Sequence, residues 1–215
     1  NNIYKKSIGD FMKVDYKKDY KKLYLPKNIN ILNIPKMKFI FIEGEGDPNN
    51  NKEFQDMMSA LYGFSYTVKM SYKKDKPEGY YDYTVFPLEG VWDLIDKSKP
   101  STDKSNFKFR IMIRQPEFLT KELYNKFLLE VKNKKPNKYL DKIIYEETEE
   151  GLCCQTIHIG SYDDELKTFS KMEEYCKENR YQRLSKIHRE IYLSDPRKTT
   201  NDKLRTLLRF KVNKI

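Results

Sequence analysis

The stretch "FKFRIMIRQP" alternates cleanly along residues 107–114. Phe107, Phe109, Ile111 and Ile113 fall on one side, and Lys108, Arg110, Met112 and Arg114 on the other. A period of two predicts a half-buried strand. "MKFIFIEGEGDP" is an apolar strand, Phe39 to Ile42, stopped by a Gly-x-Gly turn at Gly44 and Gly46. The period then changes. In "NNNKEFQDMMSALYGFSYTVKMSYK", residues Phe54, Met57, Met58, Leu61 and Tyr62 recur at i, i+3, i+4, i+7 and i+8, one face of an amphipathic helix. The Asp/Asn cluster before it supplies N-cap candidates. "GYYDYTVFPLEGVWDL" is rich in β-formers, and a second helix is expected from about Thr120 to Lys132, with Leu123, Phe127, Leu128 and Val131 on one side.

The order then starts again. "LCCQTIHIGSY" is a strand ended by Gly160, "DDELKTFSKMEEYCKENR" a helix, "HREIYLS" a strand and "LRTLLRFKV" the last strand. Strand–helix–strand–strand therefore occurs twice, with Gly44 and Gly160 at equivalent places. The predicted class is α+β. Two duplicated halves, about 37–135 and 150–215, would set three-stranded antiparallel sheets side by side about a pseudo-twofold axis, with helices on one face. A ligand groove is expected between the halves or on the uncovered face. Residues 1–36 are Lys/Tyr-rich and weakly patterned, and are expected to form a lead-in arm packed on the domain at 37–215.

Composition narrows the classes. Aromatics make up 14% of 215 residues, which excludes a disordered chain. The net charge is +10, but the lysines are scattered and interleaved with acids, so a solvated surface is expected and nucleic acid is disfavoured as a partner. There is no 18-residue apolar run and no signal-peptide core, which points to a cytoplasmic protein without a membrane partner. Three cysteines, two of them adjacent, make no disulfide framework. The two histidines, His158 and His188, make no local metal motif, and Gly-x-Gly alone is no phosphate loop, so neither a metal nor a cofactor is expected.

The candidate chemistry centres on a carboxylate inside a β-segment. In "HREIYLS", His188, Glu190 and Tyr192 share one face, while Ile191 and Leu193 share the other. Taking Ile191 and Leu193 as the core side places Glu190 on the face away from the helices. Two readings follow. Glu190 is either a solvated residue paired with a neighbouring cation such as Arg209, or a carboxylate walled by aromatics that attracts a cation or activates water. Trp92, the single tryptophan, is a stacking candidate, and Gly90 before it is a candidate bulge. Tyr162, in the turn after Gly160, would stand at the mouth of a groove.

Together, "MKFIFIEGEGDPN", "FPLEGVW", "HIGSYDDE" and "HREIYLSDPRKTTNDKLRTLLRFKV" resemble the GyrI-like small-molecule-binding family, in its stand-alone bacterial branch, from about Leu23 to the C-terminus. The resemblance implies the pseudo-twofold fold and a flat, apolar, often cationic ligand facing a central glutamate. By its place in "EIYLSDP", Glu190 matches that glutamate. Some stand-alone members hydrolyse cyclopropanoid DNA-alkylating compounds. That makes Glu190 the implied base or charge stabiliser, with Tyr192 and Trp92 as pocket aromatics. Tyr162, Tyr66, Tyr81, Tyr83 and His188 are further implied ligand-binding residues. Pure sequestration without turnover and gyrase association remain alternatives. No helix-turn-helix pattern precedes the domain, which disfavours direct transcription control, and the likeness of this fold to haem-binding SOUL-type proteins finds no haem signature in the histidines.

Overall fold

The computed structural model describes residues 13–49 and 51–215; residues 1–12 of the expected arm lie outside the described residues. Two single-turn helices come first, α1 (Tyr16–Asp19) and α2 (Lys21–Tyr24). Strands β1 (Asn30–Ile34) and β2 (Met37–Glu45) lead into the long helix α3 (Lys52–Met70). Strands β3 (Leu88–Leu94) and β4 (Phe107–Arg114) follow, then α4 (Lys121–Lys134). The chain continues through β5 (Ile144–Thr148), β6 (Gly151–Ile159), α5 (Glu165–Glu178), β7 (Tyr181–Arg183), β8 (His188–Tyr192) and β9 (Arg205–Lys214). Helix starts obey their local chemistry. The Asn51 side chain accepts from the backbone N–H of Glu53, and that of Thr120 from Leu123, so each satisfies a donor left free in the first turn.

The strands form one antiparallel sheet in the order β1-β6-β9-β8-β3-β4-β2-β5, with β7 paired to β9. The expected three-stranded sets lie side by side and are joined directly at β3–β8. Outward from that seam the order is second, third, first strand on both sides: β3-β4-β2 and β8-β9-β6. Three strands escaped the sequence pattern. β1 pairs with β6, so the segment expected to be a lead-in arm supplies a strand of the sheet itself. β5 is an edge strand on β2, and β7 is three residues long. Of the β-rich run 79–94, only Leu88–Leu94 is strand; Pro87, which has no N–H to donate, stands just ahead of it.

Both faces of the sheet are buried. α3 and α5 cover one face. Met57, Leu61, Phe64 and Val68 of α3 pack on the side of the sheet that carries Ile42, Phe109 and Ile111, and Phe169, Met172 and Cys176 of α5 pack with Cys154, Leu208 and Phe210. The other face is concave. Arg189 of β8 reaches over the Phe39 ring of β2 at 5.2 Å, although β3 and β4 intervene. Three inter-strand spacings on a flat sheet would be about 14 Å, so the sheet curls. The hollow is filled by α1, α2 and the loop before β3. Arg114 is stacked against Tyr20 (4.5 Å) and Phe86 (4.6 Å), and Arg209 donates to the Leu23 carbonyl at 2.8 Å. That is why Met112 and Arg114, expected on a solvated face, are buried.

Candidate functional site

The site sits on the helix-covered face, over the β3–β8 seam, in the groove between α3 and α5. The register places Gly90 opposite Glu190 and Trp92 opposite His188. Tyr192 Oη donates to Glu190 Oε2 at 2.8 Å, and Trp92 Nε1 donates to Tyr192 Oη at 3.1 Å. His188 Nε2 lies 3.1 Å from the other oxygen, Glu190 Oε1. Gly90 makes this floor possible. A β-carbon there would stand 2.6 Å from Trp92 Nε1 and 3.1 Å from Tyr192 Oη. Gly90 is therefore no bulge; it lies in regular register, and its missing side chain is the space the Trp92–Tyr192 bond occupies. Gly44 works the same way under Phe109, inside β2, and Gly46 with φ +94° makes the turn expected at Gly44.

Glu190 faces the helices, contrary to the expectation that it points away from them. The reason is that alternation assigns a core side only when the other side is wet. Ile191 packs into the concave face, and Glu190 into the groove, 9% exposed. Arg209, the candidate partner of a solvated Glu190, points to the concave face and pairs with Glu150 at 2.8 Å.

Aromatic walls rise on both sides. Trp92 stacks with Phe54 at 6.4 Å and meets Phe107 edge-on at 5.6 Å. Tyr162 lies edge-on to Tyr192 at 6.0 Å, at the mouth, and Phe169 lies edge-on to His188 at 4.8 Å. Burial, with Glu190 nearby, pushes the Tyr162 hydroxyl up to about 12 and that of Tyr192 well above its usual value, so both are held as donors. α3 presents a second stripe, Phe54, Met58, Tyr62 and Tyr66, to the groove, one step around the helix from its core stripe. Tyr66 thus lines the outer groove, 53% exposed. Tyr81 and Tyr83 do not join the site. Tyr83 is packed against Phe86 and Phe118, and the Tyr81 hydroxyl accepts from the Glu117 N–H. The groove encloses about 2130 Å³, larger than the ~300–1,000 Å³ of common ligand pockets.

One acidic residue at the centre was missed from sequence. Glu165 opens α5 and is 6% exposed; a carboxyl oxygen lies within 4.8 Å of one of Glu190, and its Oε1 is buried without a hydrogen-bond partner. Burial first, then the Glu190 carboxylate, hold Glu165 far above the ordinary carboxyl range. A carboxyl raised in this way is held in its protonated form. The signal was hidden in the acid run Asp163-Asp164-Glu165, which reads as helix-end electrostatics. One further finding bears on metals. Glu165, His188 and Glu190 each offer a donor atom, and the three lie within 4.8 Å of one another. Sequence spacing could not show this, because the donors come from two elements. His158, by contrast, is structural: its ring bridges Thr168 Oγ1 (2.8 Å) and the Ser161 carbonyl (2.9 Å), locking the turn into α5.

The model of the GyrI-like small molecule binding domain matches residues 27–212. The chain belongs to this family. Its structure is similar to that of an uncharacterized conserved protein from Listeria innocua, 34% identical, with 94% of this chain and 100% of that chain covered and a TM-score of 0.87. It is also similar to a hydrolase from Listeria innocua, 32% identical over the same shares at a TM-score of 0.85. A more distant likeness, 15% identical at a TM-score of 0.52 over 90% of this chain and 99% of the other, is to the C-terminal domain of EcmrR and concerns the fold. No curated protein matches. Like the family, the chain is a small-molecule-binding domain, and among the described residues no helix is long and apolar enough to cross a membrane.

Proposed function

We propose that the groove takes flat, apolar or cationic molecules and that Glu190 uses water to open strained, electrophilic rings of the cyclopropanoid class. The observation that carries this reading is the Glu190 carboxylate, set between aromatic walls and oriented from below by the Trp92–Tyr192 relay. The similarity to the Listeria innocua hydrolase supports a reaction in addition to binding. In a cyclopropane conjugated to a dienone, a water oxygen attacks the ring CH₂. The C–C bond breaks, its electron pair moves into the dienone to give a phenolate, and the water proton passes to Glu190. A positioned base contributes about 10²–10⁴-fold to such a step. The aromatic slot supplies orientation for a planar substrate.

The test is turnover. With protein at one-twentieth of a cyclopropanoid alkylator, more than one ring-opened product per protein is expected, and Glu190→Gln should lower the rate at least 100-fold while still binding. Stoichiometric uptake without product would replace hydrolysis with sequestration. Wild-type protein that neither binds nor converts the compound would overturn both.

A further inference from the structure

The environment of His188 points to something the hydrolytic reading does not use. Its Nδ1 lies 3.2 Å from the Lys186 carbonyl oxygen. A carbonyl only accepts, so Nδ1 carries a proton and is spoken for. Nε2 then turns its lone pair toward Glu190 Oε1, itself an acceptor, at 3.1 Å. Two acceptors at that distance need a positive centre between them. Glu165 brings a third donor to the same point, with one oxygen buried and unpartnered. A proton on the imidazole or the carboxyl pair can fill the position. So can a metal ion.

We propose that Glu165, His188 and Glu190 form a divalent transition-metal site opening onto the groove. The donor set, one imidazole nitrogen and two carboxylates, suits Zn²⁺, Co²⁺ or Mn²⁺. It does not suit Ca²⁺, which takes 6–8 oxygens. Donors bound to one ion at about 2.0–2.2 Å sit at most about 4.4 Å apart, so the 4.8 Å limit on the donors closes with a small side-chain rotation. The supporting contacts are those that metal ligands use. The histidine donates its other N–H to a backbone carbonyl, and Glu190 is oriented by the Tyr192 hydroxyl. The remaining coordination positions face the groove, where an oxygen donor of a bound molecule can reach the ion.

The experiment needs no organic ligand, so its outcome is separate from that of the hydrolysis test. Protein stripped with EDTA is titrated with ZnCl₂ by calorimetry and with CoCl₂ by visible absorption. One ion per chain is expected, with a d–d band that Zn²⁺ displaces and no saturable response to CaCl₂. His188→Ala and Glu165→Gln should each weaken Zn²⁺ binding at least tenfold, and Asp141→Asn, on an exposed turn, should leave it unchanged. Thermal unfolding checks that the variants fold, and should either fail, the wild-type cobalt spectrum decides alone, since a nitrogen–oxygen site and plain aquo-ion absorb differently. No saturable 1:1 binding of either ion to the wild type, or an affinity unaltered in His188→Ala, overturns the proposal.

Discussion

Gly90 shows how a residue without a side chain can determine a site. Its position in the strand is regular, and φ is not what requires glycine there. What requires it is the volume a β-carbon would take from the Trp92 indole and Tyr192 hydroxyl. Gly90→Ala should therefore keep the fold, since alanine suits a strand at least as well as glycine, yet push the two rings apart. Trp92 is the single tryptophan, so its fluorescence reports on the change directly. A shifted emission maximum with at least tenfold weaker ligand binding is expected, alongside an unaltered far-UV spectrum; identical emission would mean that the relay does not depend on the missing carbon. Period two put His188, Glu190 and Tyr192 on one face and a glycine-containing strand singled out Trp92, but which face of the sheet that was could not be read, because both faces are buried. Tyr81 and Tyr83 came only with the family resemblance, and tyrosine type says nothing about direction. Glu165 was not legible, since three consecutive acids at a helix start look alike until the helix is docked.

At the level of elements, α3 separates stability from binding by about one residue of rotation. Met57, Leu61, Phe64 and Val68 form its core stripe, and Phe54, Met58, Tyr62 and Tyr66 face the groove. The sequence pattern saw both as one apolar face, because a helix buried against a sheet on one flank and lining a groove on the other has a wide apolar arc. The difference is measurable. Leu61→Ala removes a fully buried side chain and should cost about 2–5 kcal/mol in chemical denaturation. Tyr66→Ala, at an exposed position, should stay within about 0.5 kcal/mol and instead weaken the binding of a planar ligand severalfold. Equal stability losses would mean that the two stripes are not distinct. The strand order outside the central six was least legible. β1, β5 and β7 are edge additions, short or polar, whose pairing depends on partners far away in sequence.

At the level of the whole molecule, the seam that carries the site is clamped from behind. Directly opposite the groove, on the concave face, Arg189 donates to Glu89 at 2.7 Å, Glu150 lies 3.0 Å from Arg189 Nε and 2.8 Å from Arg209 Nη1, and Arg209 also bonds Gln155. Strands β3, β8, β9 and β6 and the turn ahead of β6 are thus joined by one buried charged cluster. Burial alone would raise the Glu150 carboxyl; the Arg189 and Arg209 guanidiniums outweigh it and hold it below the ordinary range. The sign of the linkage follows. A depressed carboxyl contributes stability above its unfolded value, about 4.3, and that contribution is lost as pH falls through the lower folded value. Glu150→Gln would leave two buried guanidiniums without their shared partner, a change of about 3–5 kcal/mol at pH 7. The gap between wild type and variant should hold from pH 7 down to about 5 and then shrink toward pH 3, as the wild type alone loses the charge. Urea unfolding at a series of pH values measures it. A gap that stays constant to pH 3 would show that Glu150 acts by shape and hydrogen bonding rather than by its charge.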